Sequence, residues 1–268
     1  MSQMSDRTTR PCPDAVIVTG AGRGIGRAIA LDLGNAGARV LCLSRTENAD
    51  RTAAEIREIG GRAEGLVLDL ADYEVVEQTV ARRVEALSLE KWGVVLAAGI
   101  LGPVGPLAAC SLAEWDACHR VNVLGNLGVL RGTLPAMLNS RFGRVVFFSG
   151  GGAAYANPSV PAYAAAKTAV VRIAENVHED LKGRGDFSVV CVAPGAVDTD
   201  MLRALRAAGA VVKTTADISE PVNFVRAFLS SSSCGFSGSF IHVRDEWTQY
   251  LDGDRVLPSN LWKLRRSE

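Results

Sequence analysis

The sequence predicts an α/β domain in which a parallel sheet carries helices on both faces. Three observations lead there. Short β-branched runs alternate with longer helical patterns along the chain, as in successive β-α-β units. Several of those runs are apolar almost throughout (VIVT at 16–19, VVFF at 145–148, VVCV at 189–192), as expected of strands covered on both faces. A glycine-rich turn joins the first run to the first helical pattern. At 268 residues the chain fits one large α/β domain or two small ones, and no linker divides it.

Seven strands are expected, at Ala15–Thr19, Arg39–Leu43, Ala63–Leu68, Trp92–Ala97, Gly143–Phe148, Phe187–Ala193 and Ser239–Val243. Helical patterns fill 24–36, 49–60, 72–88, 114–139, 162–182 and 219–230, with Asp72 placed to cap the third and Gly183 to close the fifth. There is no internal repeat. The domain is expected over 14–243. A polar arm (1–13) precedes it and a less regular tail (244–268) follows, on the substrate side or at a subunit interface.

Lys+Arg and Asp+Glu are equal at 29 each, which argues against nucleic acid or an anionic membrane as partner. The six cysteines include no CxxC pair and no accompanying histidine cluster, so neither a metal site nor a disulfide framework is suggested. Cys42 and Cys191 read as small buried hydrophobes. The N-terminal residues lack the apolar stretch of a signal peptide, and no run approaches the roughly 18 residues of a membrane helix. The cytoplasm is the expected address.

The turn Thr19-Gly20-Ala21-Gly22-Arg23-Gly24-Ile25-Gly26 follows the first strand and opens the first helix. Gly20 suits a tight turn, Gly24 a close backbone approach to a pyrophosphate, and Gly26 close helix–strand packing. The free N–H groups of the helix start favour phosphate. The second strand ends in Leu43-Ser44-Arg45, where an acidic residue would select NAD and an arginine a 2′-phosphate. Arg23, Ser44 and Arg45 together favour NADP(H) over NAD(H), against the alternative that both arginines are simply solvated. Farther on, Tyr163 and Lys167 stand four apart at the start of a helix, on one face. A neighbouring ammonium favours phenolate, so Tyr163 could exchange a proton with a substrate oxygen.

In order and spacing, TGAGRGIG at 19–26, LDL at 68–70, AAG at 97–99, Asn122, YAAAK at 163–167 and PGAVDT at 194–199 resemble the short-chain dehydrogenase/reductase family over roughly 14–243. The resemblance implies a single Rossmann domain, a doubly wound seven-stranded parallel sheet of order 3-2-1-4-5-6-7. It further implies hydride transfer between NADP(H) and a ketone or secondary alcohol of a small molecule. Tyr163 is then the acid/base, and Lys167 lowers its pKa and binds ribose. Asn122 holds a relay water, and Asp69 with Leu70 borders the adenine. Ala98 and Gly99 lie against the cofactor, and Pro194, Gly195, Val197 and Thr199 lie near the carboxamide. Thr199 also reads as a helix cap. A homodimer or homotetramer packed through 114–139 and 162–182 is implied, where Ala169, Val170, Ile173 and Val177 could face sheet or partner.

Three departures stand out. The family's catalytic serine lies thirteen residues before the tyrosine, which here is Gly150, with Ser149 one place earlier. A one-residue slip through Gly150–Gly152 would bring Ser149 into the site; otherwise the substrate oxygen lacks a serine donor. The slip is the favoured expectation. Leu96 and Ala97 replace two asparagines that normally tie neighbouring strands. The aromatic tail, with Trp247, Tyr250 and Trp262, replaces an Asp-Gly-Gly stretch and could line the pocket, a subunit contact or the sheet edge. Specificity is expected in 100–109, 151–162 and 201–219, where Arg203, Arg206 and Lys213 hint at an anionic group. An epimerase or dehydratase using transient oxidation, and a non-catalytic NADP-binding regulator, are the alternative functions.

Overall fold

A computed structural model describes residues 13–207, 209, 215–232, 234–255, 257–258 and 260–264. Seven strands form one all-parallel sheet: β1 (Ala15–Thr19), β2 (Arg39–Ser44), β3 (Arg62–Val67), β4 (Trp92–Leu96), β5 (Phe142–Phe148), β6 (Asp186–Ala193) and β7 (Ser239–His242), in the order β3-β2-β1-β4-β5-β6-β7. Each strand falls within two residues of its expected position. Because successive side chains point to opposite faces, Ile17, Leu41 and Val94 join one buried cluster, while Val16, Val18, Val40 and Val95 join the other. Both faces are thus apolar. The order reverses at β1, whose Thr19 pairs with Leu43 of β2 and Leu96 of β4, and the crevice of such a sheet opens beyond those carboxyl ends.

The helices are α1 (Gly24–Asn35), α2 (Asn48–Glu58), α3 (Tyr73–Leu87), α4 (Leu112–His119), α5 (Asn126–Ser140), α6 (Pro161–Leu181), α7 (Asp200–Ala207) and α8 (Ser219–Ser230). The single helix expected over 114–139 is interrupted by a π-helical turn, Arg120–Gly125, between α4 and α5. The short, strongly amphipathic α7 had no counterpart among the expected helices. Asp72 precedes α3 but its side chain makes no capping bond. Gly183, at φ +77, follows α6 as a C-terminal glycine should. Val170 is buried, and Ala169, Ile173 and Val177 pack against the same core, so this stripe faces the sheet.

Two local solutions replace family features that the sequence lacks. Where Leu96 and Ala97 stand in for asparagines, the Thr19 hydroxyl accepts from Ala98 N (2.9 Å) and donates to Asn126 Oδ1 (2.8 Å). The Asn126 amide donates back to Ala98 O (3.1 Å), so β1, the end of β4 and α5 are tied through one buried amide. The tail packs over the β7 edge and α8. Trp247 meets Phe224 edge-on, Trp262 meets Phe236 and Tyr250, and Phe240 N donates to Trp262 O at 2.8 Å.

Five cysteines, Cys42, Cys110, Cys118, Cys191 and Cys234, are free, and Cys12 lies outside the described residues. Among the described residues there is no metal-ligand cluster and no helix long and apolar enough to cross a membrane.

Candidate active site

A cleft of about 360 Å³ opens at the carboxyl ends of β1, β2 and β4. Its walls include Gly20, Gly22, Arg23, Gly24, Ile25, Gly26, Ser44, Arg45, Asp69, Leu70, Ala98, Gly99 and Thr199, thirteen of the residues singled out from the sequence. Packing dictates the glycines. A Cβ on Gly26 would lie 2.5 Å from Gly20 O, one on Gly20 would lie 3.0 Å from Ala98 Cα, and Gly24 has φ +55. Gly26 therefore brings α1 against the turn.

The cleft also fits an anion. No side chain caps α1 and its first turn holds no acidic residue, so its leading N–H groups face the cleft with their partial positive charge uncompensated. Arg45 is exposed at the rim and makes no ion pair among the described residues. Arg23 is less free, because it donates to Asp200 Oδ2 (3.1 Å), which Arg203 also holds. Hydrogen bonding from Arg203, helped by Arg23, keeps the Asp200 carboxyl below its ordinary range. Arg203 is thereby committed to Asp198 and Asp200, which weakens its case as an anion-binding residue for substrate; Lys213 lies outside the described residues. The Ser44 hydroxyl accepts from Ala49 N (3.1 Å), steadying the start of α2. Asp69 Oδ1 accepts from Ala71 N (3.0 Å) and shapes the turn after β3. This donor set suits a phosphorylated dinucleotide, with the pyrophosphate at α1 and a further phosphate near Arg45.

Pro194, Gly195 and Val197 do not border this cleft. They form the turn after β6, where Gly195 (φ +74) lies so close to Ala216 that a Cβ would clash, and Val197 bridges to Ala216. Thr199 both reaches the cleft and caps α7, its hydroxyl accepting from Leu202 N at 3.4 Å.

Tyr163 and Lys167 share one face of α6, with Lys167 Nζ 5.5 Å from the Tyr163 ring centre. Gly99 connects them to the cleft, since a Cβ there would stand 3.4 Å from Lys167 Nζ and would clash with Asn122 Oδ1. Lys167 is buried and donates to Phe148 O at 2.8 Å. Burial lowers its pKa to about 8, and burial raises the Tyr163 phenol to about 12. The lowered tyrosine pKa expected from the sequence is therefore absent in the protein alone, where desolvation outweighs the neighbouring ammonium. Asn122 sits in the π-helical turn, its amide donating to Ile100 O and Cys118 O (2.8 Å each) and accepting from Ile100 N (3.2 Å).

The expected slip of Ser149 does not occur. Ser149 is buried, and its hydroxyl donates to the Lys167 carbonyl at 2.9 Å. Ser149 N bonds Val192 O at 2.8 Å, continuing the β5–β6 pairing by one residue and fixing the register. Gly150 instead faces the tyrosine: among the described residues, and apart from its chain neighbours, a Cβ there would meet only the Tyr163 hydroxyl, at 3.8 Å. The sequence reading also passed over Thr46, Asn48 and Val121, which line the cleft, and over the role of Asp200, whose partner Arg23 is 177 positions away.

The model of the short chain dehydrogenase family matches residues 14–210. The 3-oxoacyl-[acyl-carrier-protein] reductase FabG of Aggregatibacter actinomycetemcomitans is 33% identical over 192 residues, 70% of this chain and 78% of the relative. Among solved structures, one described as an NAD(P)-dependent gluconate 5-dehydrogenase from Beutenbergia cavernae, with NADP at low occupancy, superposes with TM-score 0.79. It is 33% identical, covering 88% of this chain and 96% of the other. A gluconate 5-dehydrogenase from Burkholderia cenocepacia, in complex with NADP and tartrate, gives TM-score 0.78 at 27% identity, covering 91% and 98%.

Proposed function

Since the chain belongs to the short-chain dehydrogenase family, we propose that it is an NADP(H)-dependent oxidoreductase interconverting a ketone and a secondary alcohol on a small molecule. One observation carries the reading. Tyr163 and Lys167 share one face of α6, and Gly99, in the wall of a cleft suited to phosphates, lies against Lys167 Nζ.

When bound, the dinucleotide supplies or accepts the hydride. The chain handles the proton. With its pKa raised to about 12, the Tyr163 phenol holds its proton at neutral pH and can donate it to a carbonyl oxygen as negative charge develops there. Lys167, with a pKa near 8, exchanges protons readily around neutrality and steadies the phenolate left behind. Asn122 straps the loop at Ile100 to the π-helical turn and so fixes one wall of the site. Arg45 and, once released from Asp200, Arg23 hold a 2′-phosphate. The preference for NADP(H) is supported by these two arginines, by the absence of an acidic residue at the end of β2, and by the relatives that carry NADP. The reading includes a homo-oligomer, as the resemblance implies.

The missing serine favours a second reading, a non-catalytic NADP-binding regulator. One experiment separates the two. NADPH and NADH are titrated by nicotinamide fluorescence, and a ketone panel is then followed by loss of NADPH absorbance. Tight NADPH binding with turnover supports the oxidoreductase. NADPH binding without turnover of any ketone moves the regulator forward, and tighter NADH binding overturns the cofactor assignment.

A further inference from the structure

Gly150 is a glycine that the fold does not require. Its backbone is outside the left-handed region, unlike Gly20, Gly24 and Gly195. Among the described residues, and apart from its chain neighbours, nothing but the Tyr163 hydroxyl comes within 4 Å of where its Cβ would be. Alanine or serine would fit there without strain, and serine would place a second hydroxyl beside the tyrosine. The bare position leaves room for about one small group next to the proton donor.

The reacting oxygen needs that second hydrogen bond. Negative charge grows on it during hydride addition, and each well-placed donor there is worth a large rate factor. Three donor side chains around the tyrosine already give hydrogen bonds to backbone carbonyls: Ser149 to Lys167 O, Lys167 to Phe148 O, and Asn122 to Ile100 O and Cys118 O. The Tyr163 hydroxyl serves the oxygen.

We infer that the substrate brings the second donor itself: a hydroxyl on the carbon next to the carbonyl occupies the space beside Gly150. The substrate class is then the α-hydroxy ketones, with vicinal diols as their reduced partners. This rests on the ketone–alcohol reading above and narrows it. In the reduction, hydride adds to the carbonyl carbon and the Tyr163 proton goes to its oxygen. The neighbouring hydroxyl donates a hydrogen bond throughout and is itself unchanged.

Two isosteric pairs of ketones test the idea, hydroxyacetone against butanone and 2-hydroxycyclohexanone against 2-methylcyclohexanone. They are assayed with NADPH on the wild-type protein and on Gly150→Ser and Gly150→Ala. Circular dichroism and NADPH titration establish that each variant is folded and loaded. The wild type is expected to favour the hydroxylated member of each pair in kcat/KM by about ten- to a hundredfold, the value of one hydrogen bond to a charged acceptor. Gly150→Ser should raise turnover of the plain ketones and lower that of the hydroxy ketones, collapsing the ratio. Gly150→Ala should lower the hydroxy ketones without raising the plain ones. Equal treatment of the pair members by the wild type, or an unchanged ratio in Gly150→Ser, overturns the inference. If all three proteins bind NADPH and reduce none of the four ketones, the ketone–alcohol reading itself falls.

Discussion

The glycines at the two ends of the site obey different rules. In the turn before α1 they are compelled by packing and backbone, as at Gly26 against Gly20 O and at left-handed Gly20 and Gly24. Across the site, Gly150 is compelled by neither, and a Cβ there would meet the reactive hydroxyl at 3.8 Å. The dinucleotide side is overdetermined by the architecture, whereas the substrate side is left free for chemistry to choose. Substitutions on the first side should therefore register in stability and cofactor affinity together. Those at Gly150 and the Tyr163 hydroxyl should register in turnover alone.

The sharpest break of that contrast is Tyr163→Phe. Loss of the proton donor should lower kcat by about 10²–10⁴-fold while NADPH affinity and melting temperature stay near wild type. A fall in affinity as large as the fall in kcat would show the two sides to be coupled.

Next in size is Lys167→Met. The folded-state pKa of Lys167 lies below the ordinary lysine value of 10.5, at about 8. Below pH 8 the unfolded chain keeps a proton that the folded state holds at a cost, and the cost disappears as pH rises from about 8 to 10.5. Wild-type stability relative to the variant should therefore climb over that window, the raised thiols of Cys42, Cys191 and Cys234 acting alike in both proteins. At pH 7 the variant should recover up to roughly 3 kcal/mol, less the lost bond to Phe148 O. Denaturant midpoints of both proteins at pH 7, 8 and 10 measure it. A difference between the two that stays flat with pH would contradict the buried, desolvated ammonium.

Gly26→Ala comes third. The added methyl would meet Gly20 O at 2.5 Å, so α1 must move away from the turn, at a cost of about 1–3 kcal/mol and with weaker binding of both nucleotides. Thermal melts and NADPH titration report the two effects, and an affinity loss without a stability loss would count against compulsion by packing. The smallest effect should come from the arginines. Arg45→Ala should weaken NADPH by about tenfold, one charged contact, and leave NADH unchanged. Arg23→Ala should do less, because its pairing with Asp200 already opposes phosphate binding. Parallel titrations with the two nucleotides decide it.

Much of this was legible in the chain itself. Five of the seven strands, β1, β2, β4, β5 and β6, are visible because runs such as Val16–Thr19 and Val189–Val192 are buried on both faces, which leaves an unbroken apolar signature. The glycine turn, Ser44, Arg45 and Asp69 were locatable because each is tied to a strand end. What escaped was set by partners far apart in sequence. Asp200 matters because Arg23 reaches it, and Thr19 because Asn126 does. The π-helical turn at 120–125 interrupts no apolar period, so the helix through it read as continuous. Ser149 was misplaced because the three glycines after it suggested slack. The register of β5 against β6 allows none, with Phe148 paired to Val192 and Ser149 N bonded to Val192 O.

The two borders of the sheet are guarded in different ways. At β3 the outermost strand carries Arg62 and Glu64, charges that discourage a foreign strand from adding on. At β7 protection comes from the aromatic tail, whose Trp262 carbonyl takes the Phe240 amide hydrogen. During synthesis that cover is translated after the sheet it protects. Until the residues after Trp247 leave the ribosome, the nascent chain presents an unsealed apolar border ending in Ile241, and it is then that association with neighbouring chains competes with folding.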